Sequence, residues 1–114
     1  MKRFEFVNKA ARDEYLELPQ RVRRIFGFDL HAIQRGLKPE SPIANLAENV
    51  GKGAFELKVN GSPAFRVVYC ARYGNTVFIL HSFAKTTNSV DRKAMDTARK
   101  RYHLMLELVS RGED

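Results

Sequence analysis

The first half of the chain is patterned as one strand, two helices and a loop. Two phenylalanines alternate with charged residues in the opening segment, which predicts a strand over 2–7. Apolar residues at spacings of four and three predict a helix over 9–17, and Pro19 separates it from a second helix over 20–35. The segment 37–53 is interrupted by glycine and proline and is predicted to be mostly loop.

The second half is patterned as three strands and a closing helix, after one expected turn of helix near 44–48. The segment 54–59 alternates apolar and charged residues, which predicts a strand with one buried face. Residues 64–85 predict a β-hairpin around Gly74-Asn75, a pair suited to a tight two-residue turn. Apolar positions at helical spacing predict the last helix over 90–110.

These elements predict a single α+β domain over residues 1–114 with the order β-α-α-β-β-β-α. We expect a mostly antiparallel sheet with the helices packed on one face, so that the other face stays open. The side of the last helix opposite its apolar stripe is expected to face solvent. That side carries Arg92, Lys93, Arg99, Lys100 and Arg101.

The hairpin brings candidate functional residues together. A tight turn at Gly74-Asn75 puts Arg66 opposite Phe83 and Val68 opposite His81, and directly opposed residues share a face. Cations, an imidazole and an aromatic ring on one face are typical of a surface that handles RNA or phosphate, although an amphipathic hairpin with a basic solvent face is an equally good interpretation. The shared face carries Arg66, His81, Phe83 and Lys85.

Positive charge is concentrated in the sheet-forming third of the chain. The formal net charge is +7, and residues 51–86 hold five Lys or Arg against Glu56 alone, so +4 of the excess lies there. Such a balance indicates a polyanion or an acidic protein as partner. Whether Lys58 lies on the face of Arg66 depends on a register that the sequence leaves open.

Other features of the sequence limit its function class. No apolar run approaches the ~18–20 residues that a membrane span needs, and the N-terminal segment lacks the apolar core of a secretory signal. Cys70 is the single cysteine and cannot form an internal disulfide. The three histidines, on separate predicted elements, do not indicate a metal site. We therefore expect a cytoplasmic protein without metal or cofactor.

The order of these elements resembles the RelE/ParE toxin superfamily, and several local strings resemble its HigB-type, phage-protein-like branch. The resemblance covers nearly the whole chain and implies a RelE-like fold. The strings are Leu18-Pro19, Val50-Gly51-Lys52-Gly53, Phe65-Arg66-Val67-Val68-Tyr69, Leu80-His81-Ser82-Phe83-Ala84-Lys85 and Ala98-Arg99-Lys100-Arg101-Tyr102.

The resemblance also implies roles for individual residues. Arg66 matches the arginine that contacts the scissile phosphate in such nucleases, and a guanidinium binds phosphate well because it offers paired hydrogen bonds and stays charged. His81 and Lys85 match further positions of the catalytic set, and imidazole titrates near neutral pH. The chain departs from the branch at Thr86, where a second lysine is common, and it lacks an early tyrosine on the last helix. The residues expected to contact RNA are Lys58, Arg72 and Phe83.

The function implied is that of a toxin in a type II toxin–antitoxin pair. The resemblance favours an endoribonuclease that cuts mRNA, with the ribosome and a small helix-turn-helix antitoxin as candidate partners. Cleavage by the ribose 2′-OH needs RNA rather than DNA, and it needs groups that move two protons. Two alternatives stay open: a ParE-like toxin that poisons gyrase, and a non-catalytic nucleic-acid-binding adaptor or co-repressor.

Overall fold

In the computed structural model, which describes residues 1–112, the chain folds into five strands and three helices. The α+β class and the predicted order of elements are confirmed, with one strand added between the second helix and the hairpin strands. In chain order the elements are β1 (Arg3–Phe6), α1 (Lys9–Leu16), α2 (Gln20–Gln34), β2 (Ile43–Asn45), β3 (Ala54–Val59), β4 (Ala64–Cys70), β5 (Thr76–Lys85) and α3 (Arg92–Ser110).

The added strand, β2, corrects the predicted helical turn near 44–48. Ile43 pairs with Leu57 and Asn45 with Phe55, so this segment extends the sheet edge, and only residues 47–50 form turns. Three residues are too few for a periodic pattern, and the strand exists because β3 offers it a free edge.

The sheet has the order β1-β5-β4-β3-β2. β1 runs parallel to β5, and every other neighbouring pair is antiparallel. The prediction of a mostly antiparallel sheet is confirmed. A parallel β1 follows from the topology, because α1 and α2 carry the chain away from β1 before the meander returns beside it.

The register of the central hairpin agrees with the sequence on one side of a bulge. Arg66 lies opposite Phe83 and Val68 opposite His81, as predicted. The pairing then shifts between Val68 and Tyr69, and the strands are joined by residues 71–75. The predicted two-residue turn is therefore wrong, because the bulge adds a residue to β5 and the loop is longer.

The expectation that helices cover only one face is also wrong. The Val67 side of β4 packs with Val22, Phe26 and Leu30 of α2. The Val68 side packs with Ala94, Ala98 and Met105 of α3. The chain buries both sides of the central strands, in keeping with a β4 that is apolar except at Arg66 and buried at six of its seven residues.

α3 covers only part of its face of the sheet, and this positions the candidate site. Its core contacts are with Val68, Cys70, Phe78 and Leu80, toward one end of the hairpin. The helix begins at Arg92, two residues later than predicted, after an N-cap at Asp91. The other end of the same face, beyond the start of α3, carries the basic residues singled out from the sequence.

Candidate functional site

Arg66 is a buried arginine on β4. It is 6% exposed, so the sequence-based expectation that it stands on an open face is wrong. Its Nη1 donates a hydrogen bond to the Phe65 carbonyl at 2.9 Å, and its Nε lies 3.6 Å from Oε1 of Glu56. Nε makes no hydrogen bond among the described residues. Arg66 is thus held by one neighbour, while its charge is balanced by Glu56.

Glu56 is a site residue that sequence reasoning missed. The alternation of β3 placed it on a solvent face, but α3 and the segment before it cover that face, and Glu56 is 9% exposed. Burial raises the pKa of Glu56, and the attraction of Arg66 and the nearby lysines does not offset it. The available signal was that Glu56 is the one acidic residue in a strongly basic segment.

Lys58 and Lys85 complete the basic set around Arg66. Lys58 lies directly opposite Arg66, which settles the open register and places both on one face. Lys85 follows Phe83 by two residues on β5 and donates a hydrogen bond to the Ser89 carbonyl at 2.5 Å. Lys58 makes no hydrogen bond or ion pair with any other side chain in the described part of the chain. Its ammonium is therefore free to bind a ligand.

These residues line a cleft of about 440 Å³, which we call the Arg66 cleft. A second depression of about 490 Å³, between the loops at 60–63 and 86–88, shares Arg66 and Lys85 with it. The same two cations therefore border both depressions. The charged and aromatic residues that line the Arg66 cleft are Glu56, Lys58, Arg66, Phe83, Lys85 and Asp91.

Asp91 brings a second carboxylate to this cleft. Its side chain accepts a hydrogen bond from the Ala94 amide at 3.0 Å and so caps α3. An N-cap carboxylate is stabilised by the amides of the first helical turn. Asp91 also raises the pKa of Glu56, although more weakly than burial does.

His81 lies on the same face, one pair of residues further along the hairpin. Its ring stacks on Phe83, with ring centroids 5.0 Å apart and an interplanar angle of 24°. Its Nδ1 lies 2.8 Å from Oε1 of Glu14, a residue of α1. Burial lowers the pKa of His81 more than the Glu14 carboxylate raises it. The imidazole is therefore neutral over more of the pH range than an exposed histidine.

Arg101 binds the same carboxylate from α3. Its Nη1 and Nη2 donate to Oε1 and Oε2 of Glu14 at 2.7 and 2.9 Å, and Nη1 also donates to the Leu80 carbonyl at 3.0 Å. Its side chain is 13% exposed, so the expected solvated position is wrong for Arg101. The other four basic residues of that helical face are exposed, as expected. Arg101 is turned inward because it lies one helical turn from Ala98 and Met105 of the buried stripe.

A second cleft, of about 340 Å³, adjoins the first. We call it the His81 cleft. It shares Phe83 and Asp91 with the Arg66 cleft, so the His81–Phe83 stack divides the two. It is lined by Glu14, His81, Phe83, Lys93, Thr97 and Arg101, together with Asp91 and Ala94.

Arg72 is the one candidate that the fold separates from this group. It follows Cys70 in the loop after β4, at the opposite end of that strand from Arg66. It is exposed, and its guanidinium carbon lies 5.7 Å from the centroid of the Tyr73 ring. Its side chain packs over Gly53, where a Cβ would meet Arg72 Cβ at 2.6 Å. Arg72 lines neither cleft that contains Arg66.

The sequence matches the family model described as Phage derived protein Gp49-like (DUF891) over residues 13–103. The chain belongs to this Gp49-like family. The matched segment is well over half of the chain. It includes every residue that lines the Arg66 cleft or the His81 cleft, from Glu14 to Arg101. No curated protein is similar enough in sequence to count as a relative.

The Gp49-like family is RelE-like and associated with toxin–antitoxin systems. The superfamily-level resemblance is therefore confirmed, while the HigB-type branch stays a prediction. Membership is consistent with the toxin of a toxin–antitoxin pair. Family membership does not specify the reaction.

The two clefts of this Gp49-like protein bring three cations close to two titratable side chains. Arg66, Lys58 and Lys85 supply positive charge where a phosphate could bind. Glu56 and His81 have pKa values shifted toward neutral forms, by burial in both cases. Within residues 1–112, no group of three His, Cys, Asp or Glu side chains is placed to hold a metal ion, and no helix is long and apolar enough to cross a membrane.

Proposed function

We propose that this Gp49-like protein is the toxin of a type II toxin–antitoxin pair and acts as an endoribonuclease on mRNA. The observation that carries the proposal is the Arg66 cleft. It holds a buried guanidinium, two flanking ammonium groups and a carboxyl group with a raised pKa around one space large enough for a phosphodiester.

The proposed reaction is attack of a ribose 2′-OH on the adjacent phosphodiester. The 2′ oxygen forms a bond to phosphorus, the bond from phosphorus to the 5′ oxygen breaks, and the products are a 2′,3′-cyclic phosphate and a 5′-OH. One group accepts the proton of the 2′-OH and another donates a proton to the departing 5′ oxygen. DNA lacks this nucleophile, so the substrate is RNA.

In this scheme Arg66 binds the scissile phosphate. As the transition state gains negative charge, Arg66, Lys58 and Lys85 stabilise it, and the partly enclosed cleft strengthens that effect. Arg66 now faces Glu56, so a bound phosphate would compete with a carboxylate for the guanidinium. Burial raises the pKa of Glu56, so the ionised carboxylate is less favoured beside Arg66 than an exposed one would be, and this lowers the competition.

Two groups are proposed for proton transfer. Glu56 lies within 3.6 Å of Arg66 and is suited to exchange a proton with a group bound there. His81 is the second, with an ordinary pKa near neutral pH that burial shifts downward. Phe83, between the two clefts, offers a ring on which an unpaired base can stack.

The partners follow from the same surface. We propose an antitoxin, a small helix-turn-helix protein, that covers the basic cleft with acidic or apolar groups. We further propose that the toxin acts in the cytoplasm on mRNA, with the ribosome as a candidate site of action. Family membership supports an antitoxin partner, and the charge of the cleft supports the RNA.

The test compares the wild-type protein with Arg66→Ala and with Arg24→Ala, an equal loss of charge on the exposed face of α2. Primer extension on cellular mRNA after induction should show new 5′ ends for the wild type and Arg24→Ala. Arg66→Ala should show none and should cut a purified RNA at least ~100-fold more slowly, in line with the loss of one transition-state donor. Circular dichroism and thermal unfolding check that the variant is folded.

Two results would contradict the proposal. A folded Arg66→Ala protein with wild-type cleavage would remove Arg66 from the site. Growth inhibition by the wild type with mRNA left intact would refute the endoribonuclease and favour a gyrase-poisoning toxin. A substrate with a single 2′-deoxy residue at the cut site tests the mechanism, because it should resist cleavage there.

A further inference from the structure

The contact between Glu14 and His81 fixes which imidazole nitrogen carries a proton. Glu14 receives hydrogen bonds from Arg101 on both carboxylate oxygens, and Nδ1 of His81 lies 2.8 Å from one of them. Burial opposes ionisation of Glu14, but the hydrogen bonds from Arg101 and His81 outweigh it and lower its pKa. An ionised carboxylate can only accept hydrogen bonds. Nδ1 must therefore carry the hydrogen and donate it.

The other ring nitrogen of His81, Nε2, has a lone pair that is available to accept a proton. In a neutral imidazole with its proton on Nδ1, Nε2 carries the lone pair. Within residues 1–112, no group makes a hydrogen bond to Nε2. The His81 ring lines the His81 cleft, and 12% of the side chain is exposed. The position of Arg101 agrees with this assignment, since its Nη1, at 3.3 Å from Nδ1, is already bonded to Glu14 and to the Leu80 carbonyl.

We infer that Glu14 is a positioning residue for His81: it holds the imidazole in the Nδ1–H tautomer and so keeps Nε2 as a proton acceptor in the His81 cleft. This inference rests on the proposed function for its catalytic meaning. It adds to that function by giving His81 the direction of its proton transfer. His81 accepts the first proton, and the donor to the departing 5′ oxygen is another group.

Arg101 explains how a carboxylate can orient His81 without keeping it protonated. A nearby carboxylate alone stabilises the imidazolium and raises the pKa of the histidine. Here the charged groups that face His81 are Glu14 from α1, and Arg101 and Asp91 from α3 and its cap. Arg101 compensates the charge of Glu14, and burial disfavours the imidazolium further. The result is an oriented ring that is neutral and able to accept a proton.

No local pattern in the sequence indicates this arrangement. Glu14 and His81 are 67 residues apart, and Glu14 and Arg101 are 87 apart. Glu14 lies on a short helix whose one other carboxylate, Asp13, pairs with Lys9 on the surface. Only the packing of α1 and α3 against β5 brings the three side chains together.

The tautomer can be read directly from nitrogen-15 chemical shifts of the imidazole rings in the free protein. His81→Gln assigns the His81 signals against those of His31 and His103. At neutral pH we expect wild-type His81 to show a protonated Nδ1 and an unprotonated Nε2. In Glu14→Gln this preference should be lost, because an amide can donate to Nδ1 as well as accept from it.

The pKa of His81, followed in the same spectra, gives a second readout, and we expect it to shift in opposite directions in two variants. Glu14→Gln should lower the pKa of His81, because it removes the neighbouring negative charge. Arg101→Gln should raise it, because it removes the positive charge while leaving the Glu14 acceptor in place. A residue that only supports packing would not produce opposite shifts in the two variants.

Cleavage kinetics connect the tautomer to the reaction. Glu14→Gln should lower kcat about 10–100-fold, by analogy with the loss of a hydrogen-bond partner of a metal-binding histidine, and should leave KM nearly unchanged. Glu17→Gln, the same change at an exposed position near the end of α1, should alter neither.

Two observations would overturn the inference: an Nε2–H tautomer in the wild-type protein, which needs no variant to fold, or an unchanged tautomer in folded Glu14→Gln. The spectra are recorded without RNA. A protein that cuts no RNA would therefore refute the proposed function, while the spectra would still decide the role of Glu14.

Discussion

The Arg66 cleft depends on a guanidinium and a carboxyl group that are buried together. Bringing two charged groups out of water is costly, and an ion pair in a protein interior often repays less than it costs. The raised pKa of Glu56 shows that its ionised form is disfavoured even with Arg66 beside it. Such a pair is weak support for the fold, and its retention is better explained by the function of the cleft.

Glu56→Gln should therefore raise the melting temperature at neutral pH and abolish or strongly reduce cleavage. The sign follows from the raised pKa: the cost of the ionised carboxylate is present in full above the folded-state pKa and disappears as the pH falls below the ordinary value of 4.5. The gain in melting temperature should accordingly disappear in acid. Thermal unfolding between pH 4 and 8 measures this. A variant that is less stable than the wild type at pH 7 would contradict the assignment.

Some residues of the candidate site have partners on neighbouring strands, and others have partners far away in the sequence. Arg66, Lys58 and Lys85 lie on neighbouring strands of one meander, so alternation and register were enough to bring them together. The burial of Arg66 and Glu56 was not foreseen, because it depends on α3 and the segment before it. Glu14 and Arg101 were missed because their meeting depends on helix packing, which leaves no periodic signal in the sequence.

Elements with a strong local sequence pattern were predicted correctly, whereas features that depend on tertiary packing were not. The break at Pro19 was visible in the sequence, and α1 and α2 lie on either side of it. The side chain of Asn8 caps α1 by accepting a hydrogen bond from the Ala11 amide at 2.8 Å. The bulge after Val68 was not visible, because either register leaves apolar residues on both faces of β4. The three-residue β2 likewise depends on its neighbour.

Two glycine substitutions test how the elements fit together. Gly51→Ala should destabilise the fold by about 1–3 kcal/mol, the usual cost of an overpacked core, because the added Cβ would lie 2.3 Å from Cε1 of Tyr102. That ring is held in place by hydrogen bonds from its hydroxyl to the Lys52 carbonyl and with Tyr73. It therefore has little freedom to move aside.

Gly27→Ala is the matched control, within α2. Its Cβ would meet only the Tyr15 hydroxyl, at 3.6 Å, which is an ordinary contact. Alanine in a helix interior should raise the free energy of unfolding by about 0.5–1 kcal/mol. Chemical denaturation of both variants measures the two signs. A neutral Gly51→Ala would mean that the loop before β3 can shift away from α3.

At the scale of the whole molecule, the covered sheet changes the meaning of the net charge. With helices on both faces, the basic residues of the meander cannot form one broad open surface. Lys58 and Lys85 are grouped with Arg66 at the Arg66 cleft, while Arg72 lies apart from it. The charge of the sheet-forming third is thus divided between a concave site and an exposed loop. The two parts should contribute differently to RNA binding.

The salt dependence of RNA binding can separate these contributions. The probe is a short single-stranded RNA with 2′-O-methyl groups, which blocks attack by the 2′ oxygen while retaining the phosphates. Each phosphate contact adds about 0.7 to the slope of log binding constant against log salt for a single strand. Lys58→Ala and Lys85→Ala should each reduce that slope by about 0.7, because each removes one cation from the cleft. Arg24→Ala should leave it unchanged, since Arg24 lies on the exposed face of α2, away from the cleft.

Arg72→Ala decides between a localised and a distributed binding surface. From the sequence, Arg72 was predicted to contact RNA, but the fold places it outside the cleft, so we expect its removal to leave the slope close to that of the wild type. Fluorescence titrations over a range of salt concentrations provide the measurement for all four variants. Equal reductions of the slope in Arg72→Ala and Lys58→Ala would mean that the bound RNA extends from the cleft across the β4–β5 loop. If Arg24→Ala reduced the slope equally as well, RNA binding would depend on the overall charge of the protein. The Arg66 cleft would then not be the binding site.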